Sequence, residues 1–182
     1  AMIGGGFMGK AHAMAYASMP MFFWPAPAIP HRKVVVDVTD GAAEEARRRF
    51  GFDEASSDWR AVVARPDVDV VDICTPNLLH TQMVVDAFAA GKDVLCEKPL
   101  AVTPAEILQM IEARDKAGRM LMVAQNNRYR GISIAMKRWV DQMSAWDGGT
   151  GTTTRSHNCK ARRIASMSAV PTSISVSSAA AR

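Results

Sequence analysis

Long apolar runs are missing from this 182-residue chain. The nearest approach, residues 19–29, is cut by Pro20, Pro25 and Pro27, which excludes a membrane-spanning helix there. No secretory leader is visible, and the expected location is the cytoplasm. Cysteine is scarce. Cys74, Cys96 and Cys159 make an odd set without metal-ligand spacing, so neither a disulfide framework nor a metal centre is expected. Free, largely buried thiols are expected instead. Acidic residues are absent from 148–182, where Arg155, Lys160, Arg162, Arg163 and Arg182 lie. Setting those five aside leaves 17 Lys and Arg against 18 Asp and Glu, so the net charge of +4 belongs to the last stretch. The body has no basic face interleaved with aromatics, and no nucleic-acid partner is expected. Internal repeats are absent as well.

What is present is 48% hydrophobic, enough for a substantial core. Short β-rich runs alternate with helical patterns, which argues for a parallel sheet covered on both faces. Strands are expected at 1–3, 33–38, 68–73, 93–96 and 120–124. Helices are expected at 8–19, at 42–50 with Ala43, Ala46 and Phe50 on one face, and from an Asp58 cap to residue 64. A further helix carries the stripe Leu79, Met83 and Ala87 and stops at Gly91. Thr103-Pro104-Ala105-Glu106 has the form of a capping box with proline at the first helical position. The helix it opens turns Ile107, Met110 and Ile111 inward and ends at Gly118. A last helix is expected at 132–143. Residues 20–30 read as a loop rich in proline and aromatics, and the twelve methionines as gap-filling core.

Gly4-Gly5-Gly6-Phe7-Met8-Gly9 follows a strand stub and opens a helix, the context in which a glycine-rich turn holds a pyrophosphate. Gly4 would allow the tight turn, Gly6 would clear space for the phosphates, and Gly9 would let the helix approach the strand. Phe7 and Met8 are candidate cofactor contacts with them. Asp37 ends the second expected strand, where a carboxylate can accept hydrogen bonds from adenosine ribose. It lies 33 positions after Gly4, and the loop at 20–30 accounts for the long interval. An acid here repels a 2′-phosphate, and Val38 and Thr39 offer no cation for one, so NAD is expected over NADP. Asp40, the rival, better suits a helix N-cap. Arg47-Arg48-Arg49 reads as a solvated helix face. Thr75-Pro76-Asn77 is either a ligand-facing loop or an ordinary strand-to-helix turn, and His80 either part of that loop or a first-turn helix residue. Glu97-Lys98-Pro99 could be a surface ion pair before a proline, or an ammonium placed to stabilise an alkoxide. Gln125-Asn126-Asn127-Arg128-Tyr129 is a helix-entry loop or a cleft lining. Phe22, Phe23 and Trp24 either cover an adenine or pack on their own prolines.

Three motifs together, Gly4 to Gly9, Cys74-Thr75-Pro76-Asn77-Leu78-Leu79-His80 and Cys96-Glu97-Lys98-Pro99-Leu100, resemble the nucleotide-binding half of the Gfo/Idh/MocA oxidoreductases. The resemblance covers roughly residues 1–143. It implies an α/β fold, a Rossmann-type doubly wound parallel sheet, and hydride transfer between NAD and a secondary alcohol of a sugar, polyol or related small molecule. It further implies that Thr75, Pro76, Asn77 and His80 flank the cofactor and that Lys98 is catalytic or positions the substrate. Glu97 would orient Lys98 or touch the cofactor, the Lys98–Pro99 bond would often be cis, and Asn126 and Arg128 would line the cleft. Arg130-Gly131 departs from the Asn-Pro common in the family.

Members of that family continue into a larger α/β domain that supplies the substrate pocket and usually the oligomer interface. Here residues 148–182 hold seven Ser and five Thr, sustain no period of 3.6 or 2, and read as disordered. The expected organisation is a nucleotide-binding domain over 1–143 and a low-complexity segment over 144–182. Out-of-frame translation or a gene fragment would explain the abrupt change, and a non-catalytic nucleotide-binding module is the alternative function. His157 lies in this segment and is not assigned a role.

Overall fold

A computed structural model describes residues 1–145. Its first compact unit is Ala1–Ile134. Six strands build one parallel sheet: β1 (Met2–Ile3), β2 (Val34–Val36), β3 (Glu54–Ser56), β4 (Val70–Ile73), β5 (Asp93–Cys96) and β6 (Leu121–Val123). They lie in the order β3-β2-β1-β4-β5-β6, all parallel. The order reverses between β1 and β4, and the carboxyl ends of those strands flank the crevice where open α/β sheets take ligands.

The helices are α1 (Phe7–Phe22), α2 (Asp40–Phe50), α3 (Trp59–Val63), α4 (His80–Ala89), α5 (Pro104–Ala117) and α6 (Gly131–Ala145). The apolar pattern of the strands places them on both faces. On one face Met2 and Val35 pack with Ala13 of α1 and Ala46 and Phe50 of α2. On the other, Ile3, Val34, Val36, Val71 and Ile73 meet Val62, Met83, Val84, Phe88 and Met110. Alternate residues of β1 and β2 thus enter opposite cores, which is why those strands read as unbroken apolar runs.

Local chemistry sets the element ends. Thr103 and Glu106 form the expected capping box, and Gly118 closes α5 at φ 62°. Asp58 accepts from the amides of Arg60 and Ala61. The expectations fail at several points. α1 runs through Pro20 to Phe22, because the proline removes only its own hydrogen bond and Phe23 N–H still reaches the Met19 carbonyl (3.0 Å). Thr39, not Asp40, caps α2 by accepting from Ala42 N–H, and Asp40 is the first helical residue. Leu79 falls in a 3₁₀ turn ahead of α4 and is 46% exposed. β3 was not expected at all, since Glu54-Ala55-Ser56 has no β-branched residue. Of the methionines, Met2, Met83 and Met110 are buried, whereas Met14, Met21, Met120, Met122 and Met136 are exposed. Cys74 and Cys96 are free thiols, as expected.

The second unit begins at Ala135. Its described part is the remainder of α6, braced by a Lys137–Asp141 pair one turn apart. Of the segment expected at 144–182, only residues 144 and 145 are described, and they continue that helix. Cys159, His157 and the expected disorder lie outside the described residues.

Candidate active site

The first loop of the crevice is Gly4-Gly5-Gly6. Gly4 sits at φ 101°, and a Cβ there would lie 2.9 Å from the Cys74 carbonyl carbon and oxygen. The turn after β1 and the loop after β4 therefore touch backbone to backbone, which only glycine permits. A Cβ on Gly9 would overlap the Gly4 carbonyl oxygen, so α1 can start this close to the strand only with glycine. Gly5 was not singled out in the sequence, yet a Cβ there would press on Ala46 and the Asp37 carboxylate, each 2.8 Å away. Gly6 differs. Nothing lies within 4 Å of the position its Cβ would take. It begins α1, a helix of 16 residues with no side-chain cap and no acid in its first turn. Open space before an uncapped helix N-terminus suits an anion.

Asp37 stands just past β2, half-buried. Its Oδ2 accepts from Gly5 N–H (2.9 Å) and its Oδ1 from Val38 N–H (2.7 Å). Each carboxylate oxygen keeps lone-pair capacity for a further donor. A cleft of about 270 Å³ beside the turn is lined by Gly5, Gly6, Phe7, Lys10, Arg49 and Phe50. Arg47 and Arg48 pair with Glu44 on the outer face of α2, as the solvated reading expects. Arg49 is exposed as well, paired with Glu45 (2.9 Å), and also lines the cleft. A larger cleft, about 330 Å³, lies between Trp59, Arg60 and Asp86. Its α4 residues are at the end leading into β5, opposite the glycine turn, so it is the smaller cleft that lies at the strand ends.

The loop after β4 carries Thr75, Pro76 and Asn77. Thr75 Oγ1 donates to Met83 Sδ (3.6 Å), and Asn77 opens the 3₁₀ turn that precedes α4. His80 is buried. Its Nε2 lies 2.9 Å from the Thr75 carbonyl oxygen, and its Nδ1 faces the carbonyls of Pro99 (3.1 Å) and Leu100 (3.3 Å). The ring ties the two loops together with both nitrogens engaged, and has none left for a ligand.

Lys98 follows β5 and is exposed, and its ammonium enters no ion pair among the described residues. The Lys98–Pro99 bond is cis. Glu97 is 4% exposed and does not pair with that ammonium. One of its oxygens accepts from Lys98 N–H (2.8 Å), and the other faces His12 Nε2 (3.1 Å). The surface Glu–Lys pair is thereby ruled out. Asn126 and Arg128 sit in a 3₁₀ turn after β6, both exposed, at the same end of the sheet.

Behind these loops is a polar cluster. His12 Nδ1 lies 3.0 and 2.9 Å from the two oxygens of Asp72. Tyr16 donates to Asp72 Oδ2 (2.6 Å), and Cys74 Sγ lies 3.4 Å from His12 Nδ1. The hydrogen bond to Asp72 holds His12 above its ordinary value of 6.5, against the opposing effect of burial and with further help from Glu97. Burial first, and then the Asp72 charge, push the Tyr16 hydroxyl and the Cys74 thiol far above their usual ranges. The same causes raise Cys96 to about 12. Neither thiol is an available nucleophile.

The model of an oxidoreductase family with an NAD-binding Rossmann fold, GFO_IDH_MocA, matches residues 1–125. The chain belongs to this family. Levoglucosan dehydrogenase of Pseudarthrobacter phenanthrenivorans is 50% identical over 141 residues, 78% of this chain and 36% of that protein. Inositol 2-dehydrogenase of Gluconacetobacter diazotrophicus is 36% identical over 124 residues, 62% of this chain and 35% of that protein. The solved structure of levoglucosan dehydrogenase in complex with NADH and levoglucosan superposes with a TM-score of 0.73 at 50% identity, covering 78% of this chain and 38% of that one. The chain thus spans little more than a third of the length of the relatives it matches.

For this Gfo/Idh/MocA chain, the glycine turn, Asp37 and the Lys98 loop lie where the sequence placed them, at the carboxyl ends of the strands. Reading the sequence missed Gly5, His12, Tyr16 and Asp72. One signal was available: Asp72 interrupts the apolar run Val70-Val71-Asp72-Ile73 of a buried strand, and a buried carboxylate demands donors.

Proposed function

We propose that the chain is the nucleotide-binding part of a cytoplasmic NAD-dependent oxidoreductase that moves hydride between NAD and a secondary alcohol of a sugar, polyol or related small molecule. The observation that carries this reading is the glycine turn, where open space at Gly6 adjoins the uncapped N-terminus of α1 and Asp37 stands at the neighbouring strand end. NAD, when bound, supplies the hydride acceptor. Gly4, Gly6 and Gly9, with the amides of Phe7 and Met8, would hold the pyrophosphate. Asp37 would accept from the adenosine ribose hydroxyls and repel a 2′-phosphate. Thr75, Pro76 and Asn77 would flank the nicotinamide ribose, with Asn126 and Arg128 along the cleft rim. His80 would act through the two loops it joins. Lys98 would donate a hydrogen bond to the substrate hydroxyl oxygen and stabilise its developing negative charge, which lowers the barrier most where water is excluded.

The names of the relatives, levoglucosan and inositol dehydrogenases, support a polyhydroxy substrate. Equilibrium titration of the chain with NADH and NADPH tests the cofactor half. Saturable binding that favours NADH supports it, and NADPH binding as tightly would remove the role given to Asp37. Turnover of NAD with a panel of sugars and polyols, measured with the chain joined to a substrate domain of a relative, tests the other half, and retained NADH binding with no turnover even there favours a binding module.

A further inference from the structure

Both ring nitrogens of His12 face carboxylates. Nδ1 lies against Asp72 and Nε2 against Glu97. An ionised carboxylate only accepts, so each nitrogen must carry a hydrogen if both contacts are to be hydrogen bonds. The side chains of His12, Asp72 and Glu97 are 14%, 3% and 5% exposed, so water cannot replace a missing donor cheaply. Glu97 is thereby fixed, and its second oxygen receives the backbone N–H of Lys98. The sequence separations are large: His12 reaches 60 residues to Asp72 and 85 to Glu97.

We propose that His12 is a positioning residue for Lys98: as a doubly protonated bridge between Asp72 and Glu97, it fixes the backbone from which the Lys98 ammonium projects. The proposal rests on the reading of Lys98 as the group that meets the substrate hydroxyl. It adds a coupling. His12 belongs to α1, whose N-terminus begins at the glycine turn, so one helix sets both the anion site and the place of Lys98. If the imidazolium loses a proton, one nitrogen lone pair points at a carboxylate. Repulsion then loosens Glu97 and with it the Lys98 amide. The groups that face His12 are Asp72 from β4, Cys74 just after it, Glu97 after β5 and Tyr16 on α1 itself. Tyr16 donates to Asp72 and steadies the far end of the bridge.

The test is a pH titration of the isotope-labelled 182-residue chain by NMR, following the His12 ring nitrogens together with the Lys98 and Leu100 amides. Both His12 nitrogens are expected to stay protonated through neutral pH, and the Lys98 amide to shift with the same midpoint. In E97Q the amide oxygen still accepts from Nε2, but the negative charge is gone and the NH2 cannot accept from the Lys98 N–H. The midpoint is expected to fall, and the Lys98 amide to stop following it. Y16F, which leaves Glu97 untouched, is expected to keep the co-titration. H12Q removes the bridge and is expected to shift the Lys98 amide at every pH. If it does not fold, the wild type and E97Q still decide. A His12 that titrates like an exposed imidazole, or a Lys98 amide indifferent to its titration, overturns the proposal. An NADH titration on the same sample separates the two ideas: failure to bind NADH sinks the dehydrogenase reading, whereas the amide response alone decides whether His12 positions Lys98.

Discussion

The roles proposed for Asp37, Lys98 and His12 belong to different parts of the chemistry, and each makes its own expectation. Asp37→Asn keeps a carbonyl oxygen for the Gly5 amide but loses the charge. NADH binding is expected to weaken by about tenfold, as for loss of a charged hydrogen bond, while discrimination against NADPH shrinks. Unchanged selectivity in parallel titrations would contradict the role. Lys98→Met is expected to leave NADH affinity within a few-fold of wild type, because the partner proposed for its ammonium is the substrate hydroxyl. His12 makes stability depend on pH. Its proton affinity is raised in the folded chain by the Asp72 hydrogen bond, against burial and with Glu97 assisting. A raised value means the contribution is complete below the ordinary value of 6.5 and is lost as pH rises through the folded one. The urea midpoint is therefore expected to fall from neutral to alkaline pH, and to fall less in H12Q. Equal slopes in the two proteins would count against the buried bridge.

At the scale of elements, the glycines divide into those held by close packing and Gly6, which has open space beside it. Gly4→Ala puts a Cβ against the Cys74 backbone at an unfavourable φ, so thermal stability is expected to drop. Gly6→Ala meets nothing and lies at φ −69°. Its stability is expected to hold while NADH binding weakens, since the methyl would enter the space proposed for the phosphates. A stable Gly6→Ala with full NADH affinity would show that the open space has no such use. Ile73→Ala, at a fully buried position of β4, is expected to cost about 2–5 kcal/mol by denaturant titration. Features that depend on neighbouring residues were legible in the sequence: the glycine turn, the Thr103 capping box, the Asp58 cap and the inner face of α2, whereas of the α5 face expected at Ile107, Met110 and Ile111 only Met110 is buried. The Asp40 and Leu79 errors are slips of one residue at helix starts, where side-chain capping decides. β3 was illegible because its place comes from pairing with β2 rather than from its own residues. The His12 bridge was illegible for a related reason, as it joins α1 to residues after β4 and β5 that no local period connects.

At the scale of the whole molecule, the chain matches little more than a third of its relatives' length. Cofactor binding and turnover are therefore separate questions for it. No helix among the described residues is long and apolar enough to cross a membrane. Met21, Phe22, Phe23 and Trp24 form an exposed apolar run, Trp24 at 88%, so packing on neighbouring prolines, one of the two arrangements expected from the sequence, does not bury them. Binding of a hydrophobic dye to the folded chain is expected to fall when Phe22 and Trp24 are both changed to Ser. The measurement that bears most directly on the central claim is fluorescence titration of the purified, folded chain with NADH and NADPH. Saturable binding with NADH preferred is the expected result. A chain with intact secondary structure that binds neither nucleotide would contradict the account at its core.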